Sequence, residues 1–150
     1  MIGSLVARHQ VKQAFSQLNQ KNLEGFLSGW HAQAVFQYPG QLSVSGTFTG
    51  RDAIQCWFAG FFERFPRIQF QLKHVCVENL FDLAGNNNVI AYWDVALTNR
   101  EGRAVENTGT NLIKIRGRKV VEVQDFFFYP ERLALGWNEA APATRVPVAP

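Results

Sequence analysis

Between Arg67 and Tyr129 the sequence runs through four long segments of β character separated by little more than turn residues, and a chain with that pattern must build a sheet first. The reversals are marked by clusters rich in Gly, Asn and charged residues at 84–88, 99–102 and 116–118. They delimit four antiparallel strands over about 67–79, 88–99, 103–116 and 119–129. Successive side chains on a strand point to opposite faces. In the second strand Val89, Ala91, Trp93, Val95 and Leu97 therefore share one face, and Ile90, Tyr92, Asp94, Ala96 and Thr98 the other. Neither face is strongly polar, which predicts a sheet covered by helices on one side and by another subunit on the other.

The last strand carries the most informative residue. Val121, Val123, Asp125 and Phe127 alternate onto one face, so a carboxylate stands in an apolar row. Two readings fit this: a strand-end Asp that caps a loop or pairs with an Arg, or a pocket carboxylate whose pKa is raised by desolvation, as an acid–base group requires.

Upstream, helical spacing dominates. Ala7, Val11, Ala14, Phe15 and Leu18 form one apolar stripe over about 3–20. Leu23, Phe26, Leu27 and Trp30 then repeat at i, i+3, i+4 and i+7, with Asn22 as N-cap. A short strand over 34–38 stops at Pro39-Gly40, and a loop follows through Ser43, Ser45 and Gly46. Thr49 and Asp52 have the spacing of a capping box. The helix they open carries Ala53, Ile54, Trp57, Phe58, Phe61 and Phe65 and ends before Pro66. After the strands, one or two helical turns over 130–139 offer Leu133, Leu135 and Trp137 for packing. The plan is α-α-β-α followed by a four-stranded meander: an α+β fold in which three N-terminal helices pack on a curved, mostly antiparallel sheet. It forms a single domain over 1–139, with a Pro-rich flexible tail over 140–150.

Thirteen Phe and four Trp in 150 residues exceed what a plain core needs, and such a surplus can line a cavity for a small hydrophobic molecule. The candidate lining is Trp30, Tyr38, Phe58, Phe62, Trp93, Asn111 and Phe127, each with core packing as the rival role. His74 shares a parity with Ile68, Phe70, Leu72 and Cys76, which turns it inward; a His within reach of Asp125 would make an acid–base pair.

Other classes are excluded. The net charge of +3 gathers only at Lys114, Arg116, Arg118 and Lys119, a solvated hairpin tip with no groove-reading motif, so no nucleic-acid partner is expected. No Gly-x-Ser-x-Gly elbow, Walker loop or Gly-x-Gly-x-x-Gly fingerprint occurs, and any chemistry must proceed without a cofactor. Three histidines without ligand spacing make no metal site. Cys56 and Cys76 read as buried reduced thiols. The start lacks signal-peptide character and no apolar run is long enough to span a membrane, so a cytoplasmic protein is expected.

Three stretches resemble the NTF2-like superfamily, within it the branch of SnoaL-like polyketide cyclases and ketosteroid isomerases. They are 18–36, from Leu18 through Trp30 to Phe36; 46–66, from Gly46-Thr47 through Gly50-Arg51-Asp52-Ala53-Ile54 to Phe65-Pro66; and the paired strands 109–115 and 119–127. The resemblance implies a cone-shaped α+β fold, a hydrophobic pocket and a homodimer through the outer sheet face, where Ile90, Tyr92 and Ala96 lie. Ketosteroid isomerases hold a dienolate oxygen with a Tyr and a protonated Asp while a second Asp moves the proton. The matching positions here are Ala14, Asn111 and Tyr38, so that mechanism is not expected. SnoaL-like cyclases place an acid–base Asp on the last strand, where Asp125 stands. The resemblance thus implies a cofactor-free isomerase, cyclase or dehydratase with Asp125 as acid–base and Tyr38, Asn111 or His74 as polar partners. The alternative is a ligand-binding or dimerisation module that has lost the chemistry.

Overall fold

Apolar residues alternating along the strands and repeating every three to four along the helices separate the chain into a curved sheet and a layer of helices on its concave side. The computed structural model describes residues 2–139; the tail expected over 140–150 lies outside them. The elements are α1 (Ile2–Asn19), α2 (Leu23–Ser28), β1 (Trp30–Tyr38), β2 (Gly46–Thr49), α3 (Arg51–Arg64), β3 (Arg67–Val77), β4 (Asn87–Thr98), β5 (Ala104–Arg116), β6 (Lys119–Phe127) and α4 (Glu131–Trp137). Six strands form one sheet in the order β2-β1-β6-β5-β4-β3. All neighbours are antiparallel except β1 and β6, which run parallel. The expected α+β cone is the observed architecture.

The four-strand meander falls where the alternation placed it, and β4 buries Val89, Ala91, Trp93 and Val95 while Ile90 stays exposed. Asn22 caps α2 as expected, its side chain accepting from the Gly25 N–H at 3.0 Å. The segment before α3 differs. Its residues 46–49 form the edge strand β2 rather than a loop, and Thr49 is spent pairing with Val35. The helix cap is Gly50, with no side-chain cap bond; its φ of 89° makes the strand-to-helix corner without strain. Trp30 begins β1 instead of ending α2, yet still points into the interior.

Of three register shifts in the sheet, one lies between Trp30 and Val35 on β1, and the other two override simple alternation. The β3–β4 register shifts between Leu72 and His74, so Phe70 and Leu72 pack inward while His74 turns out. A second shift opposite Lys114 and Ile115 pairs Ile115 with Val120, and Val120 rather than Val121 joins the core. Cys56 and Cys76 are both free and exposed, contrary to the expectation of burial; Cys76 follows the bulge to the outer face.

Close packing at the centre depends on Gly109. It sits opposite Trp93 on β4 and Phe127 on β6. A Cβ there would lie 2.4 Å from the Phe126 carbonyl oxygen and 2.6 Å from the Trp93 ring. Gly109→Ala is expected to cost about 1–3 kcal/mol, as overpacking does, measured by urea denaturation followed by circular dichroism. An unchanged midpoint would show that the sheet yields there.

Candidate functional site

The concave face of the sheet and the helices above it do not fill the space between them. A cavity of about 250 Å³ remains, lined from α1 (Val11, Ala14), α3 (Trp57, Phe58, Phe61), the strands (Trp30, Tyr38, Trp93, Asn111, Asp125, Phe127) and α4 (Leu133, Trp137). Its walls are predominantly apolar and rich in aromatic rings. Tyr38 packs against Trp57 (ring centroids 4.7 Å apart) and Phe127 (5.7 Å), and Trp93 packs edge-on to Phe70 (5.2 Å) and Phe127 (5.3 Å).

Asp125 is the carboxylate in this cavity. β6 presents it there because Val123, Asp125 and Phe127 occupy alternate positions, and β5 places Asn111 directly opposite. The Asn111 amide Nδ2 donates to Asp125 Oδ1. The Asn111 carbonyl Oδ1 in turn accepts from the Trp93 indole N–H at 2.6 Å. Because an indole N–H can only donate, Trp93 fixes which end of the amide faces the carboxyl group. The chain Trp93→Asn111→Asp125 runs across three neighbouring strands and satisfies one carboxyl oxygen. Among the described residues no Arg or Lys pairs with Asp125.

The electrostatic consequence is large. Asp125 borders the cavity and is otherwise enclosed by protein, and this desolvation raises its pKa from 3.8 to about 7, although the Asn111 hydrogen bond pulls in the opposite direction. Tyr38 is buried, and burial raises its phenol well above the ordinary 10.0; the Trp137 hydrogen bond lowers it and the charge of Asp125 raises it further. The Tyr38 hydroxyl therefore stays protonated. The cavity holds one acid that titrates near neutrality and one phenol that does not titrate in the working range.

The residues singled out from sequence are distributed as follows. Asp125, Tyr38, Asn111, Trp30, Phe58, Trp93 and Phe127 all line the cavity, and so does Ala14. His74 does not. The β3 bulge turns it to the outer face, where its ring stacks on Tyr92 with centroids 6.0 Å apart, so it cannot pair with Asp125. Phe62 is also absent from the lining. It is buried on the flank of α3 beside Phe58, with the Lys21 ammonium 6.0 Å above its ring and donating to its carbonyl. Asp94 is on the outer face, bonded to Thr108 at 2.8 Å and paired with Lys73 at 3.2 Å.

Trp57, Phe61, Leu133 and Trp137 line the cavity although the sequence offered them only for packing, and of these Trp137 bonds a candidate site residue. Its Nε1 donates to the Tyr38 hydroxyl oxygen at 3.0 Å. An isolated Trp on a short C-terminal helix gives no periodic signal of such a contact. No three His, Cys, Asp or Glu side chains among the described residues cluster as metal ligands, and no helix there is long and apolar enough to cross a membrane.

Solved structures with this architecture include Bal32a from a soil-derived mobile gene cassette, 17% identical over 90% of this chain and 98% of its own, with a TM-score of 0.76. A candidate isomerase from Bacillus subtilis is 19% identical over 93% and 99% of the two chains, with a TM-score of 0.73. A candidate scytalone dehydratase from Novosphingobium aromaticivorans is 13% identical over 84% of each, with a TM-score of 0.72. At these identities the likeness establishes the fold alone. The sequence matches none of the proteins of curated function. It does match the SnoaL-like domain family over residues 11–123, from the cavity face of α1 to the residue two places before Asp125. The chain belongs to the SnoaL-like domain family and has the fold of proteins described as NTF2-like.

Proposed function

We propose that this protein is a cofactor-independent isomerase, cyclase or dehydratase that moves a proton on a small hydrophobic carbonyl compound, with Asp125 as the acid–base group. The observation that carries the reading is a carboxyl group that has no cationic partner among the described residues, faces an apolar, aromatic-rich cavity and has its pKa raised to about 7. In its ionised form Asp125 takes a proton from a carbon next to the substrate carbonyl. The electron pair moves onto the carbonyl oxygen, which needs a hydrogen-bond donor; Tyr38 is the protonated donor in the same cavity. Asp125 then returns the proton, either to another carbon or to a departing hydroxyl. Asn111 is already committed to Asp125 and Trp93, so its role is to orient the carboxyl group.

A second reading, a ligand-binding module without turnover, is favoured by Ala14, Tyr38 and Asn111 at the positions where ketosteroid isomerases carry their functional groups. Under either reading a second copy of the chain covers the outer sheet face, where Ile90 (49% exposed), Phe126 (43%) and Phe128 (53%) surround the Tyr92–His74 stack.

If the enzyme reading holds, turnover of a hydrophobic enone or hydroxyketone depends on ionised Asp125: the rate should rise with pH through about 7 and level off. Asp125→Asn should lower it by about 10²–10⁴-fold. Turnover by Asp125→Asn at the wild-type rate would exclude the assignment.

Stability offers an independent check. Folding raises the Asp125 pKa above its ordinary 3.8, so between pH 4 and 7 the folded state binds more protons than the unfolded, and stability falls as pH rises. Each pH step of one across that window removes about 1.4 kcal/mol, and the loss approaches about 4 kcal/mol above pH 7. Asp125→Asn should abolish this slope and be more stable than wild type at pH 8 in urea titrations. Parallel pH profiles for the two proteins would mean that the carboxyl group is solvated.

For the outer face, sedimentation at tens of micromolar should give a dimer, and Ile90→Asp with Phe126→Asp a monomer. A monomeric wild type would refute the assembly.

A further inference from the structure

Besides Gln17, whose buried Oε1 accepts no hydrogen bond among the described residues, the cavity has two polar groups with bonding capacity left over beside the candidate acid. Asp125 uses Oδ1 on Asn111, and no hydrogen bond to its other oxygen is formed among the described residues. Tyr38 is 6% exposed; its oxygen accepts from Trp137, and among the described residues its own O–H finds no acceptor. A buried hydroxyl proton without an acceptor is costly, and a ligand that supplies one recovers that cost.

What decides the direction of that proton is Trp137. The indole N–H occupies the Tyr38 oxygen at 3.0 Å, so the phenol meets a ligand as a donor with its oxygen already engaged. The indole is held in turn. Its ring lies edge-on to Phe65, centroids 5.2 Å apart, and within 6.0 Å of Trp57. α4 is tied down around it: the Gly136 carbonyl accepts from Asn99 Nδ2 at 3.1 Å and from Arg64 Nε at 3.3 Å, and the Glu139 carboxylate accepts from the Ser43 backbone N–H at 3.0 Å and from its hydroxyl. These contacts reach α3, the β4–β5 turn and the β1–β2 loop.

We infer that α4 completes the site, with Trp137 as a positioning residue that sets Tyr38 to donate to a ligand oxygen, so that the cavity selects neutral hydrophobic compounds bearing a carbonyl over their hydrocarbon counterparts. This inference rests on the reading that the cavity takes a carbonyl compound, and it adds the residue that enforces that choice. Selection by one hydrogen bond in a largely apolar cavity is worth roughly five- to tenfold in affinity.

The test compares indanone with indane, which share a ring frame and differ in the carbonyl group, by calorimetric titration of the full chain. The wild type should bind indanone roughly five- to tenfold more tightly. Tyr38→Phe should erase the difference, Trp137→Phe should reduce the ratio of the two affinities at least threefold, whatever its common effect on both ligands, and the double variant should lose no more of that ratio than Tyr38→Phe alone. A merely structural Trp137 would weaken both ligands alike, and that result overturns the inference, as does equal binding of the two ligands by the wild type. If Trp137→Phe does not fold, ring-carbon NMR of tyrosine-labelled wild type decides. The Tyr38 Cζ resonance should move with indanone and not with indane; identical responses overturn the inference. None of these results depends on turnover, so the Asp125 assignment stands or falls separately on the Asp125→Asn rates.

Discussion

The site depends on a carboxyl group largely enclosed by protein with a single amide to support it. Burial penalises the charged form of Asp125, and one hydrogen bond from Asn111 offsets only part of that penalty. Every neighbouring feature contributes to this balance. β5 supplies Asn111 in direct register, β4 supplies the Trp93 indole that orients the amide, and Gly109 leaves room for that indole. A second donor or a nearby cation would return the carboxyl toward its ordinary range and leave it permanently ionised. The apolar walls offer no groups that solvate a charge, so the packing of the cavity and the proton affinity of its acid are one property.

Much of this was legible in the sequence because alternation is a strong signal wherever a sheet has one buried face. The four-strand meander, the inward row of β4 and the unusual position of Asp125 all follow from period-two patterning. The helical stripes likewise placed Val11, Ala14 and Phe58 over the sheet. What the pattern could not carry was any place where the period slips. One extra residue near Lys73 sends His74 and Cys76 to the outer face, and another near Val121 exchanges it for Val120. Neither bulge is marked by Gly or Pro, the residues that usually punctuate such sites. The edge strand β2 is short enough for turn residues to mask it.

Two further features escaped for a different reason: they are set by tertiary contacts without local periodicity. The parallel pairing of β1 with β6 joins segments about 90 residues apart and brings Tyr38 to the same cavity wall as Asp125. Phe62 has helical spacing from Phe58 but faces the Lys21 side of α3, since the apolar stripe of that helix is wider than the cavity it covers. Trp137 is the converse case, a residue read as packing whose N–H has a specific partner 99 positions earlier.

The aromatic wealth of the chain has one more consequence. All four of its tryptophans, Trp30, Trp57, Trp93 and Trp137, border the same cavity. The protein is therefore its own optical reporter. Its ultraviolet emission originates almost entirely from the walls of the site, one emitter is coupled through Asn111 to the titrating carboxyl group, and another bonds to Tyr38. Any occupant that displaces water or absorbs near the indole emission band will alter that light, with no label and no coupled assay, whatever reaction follows.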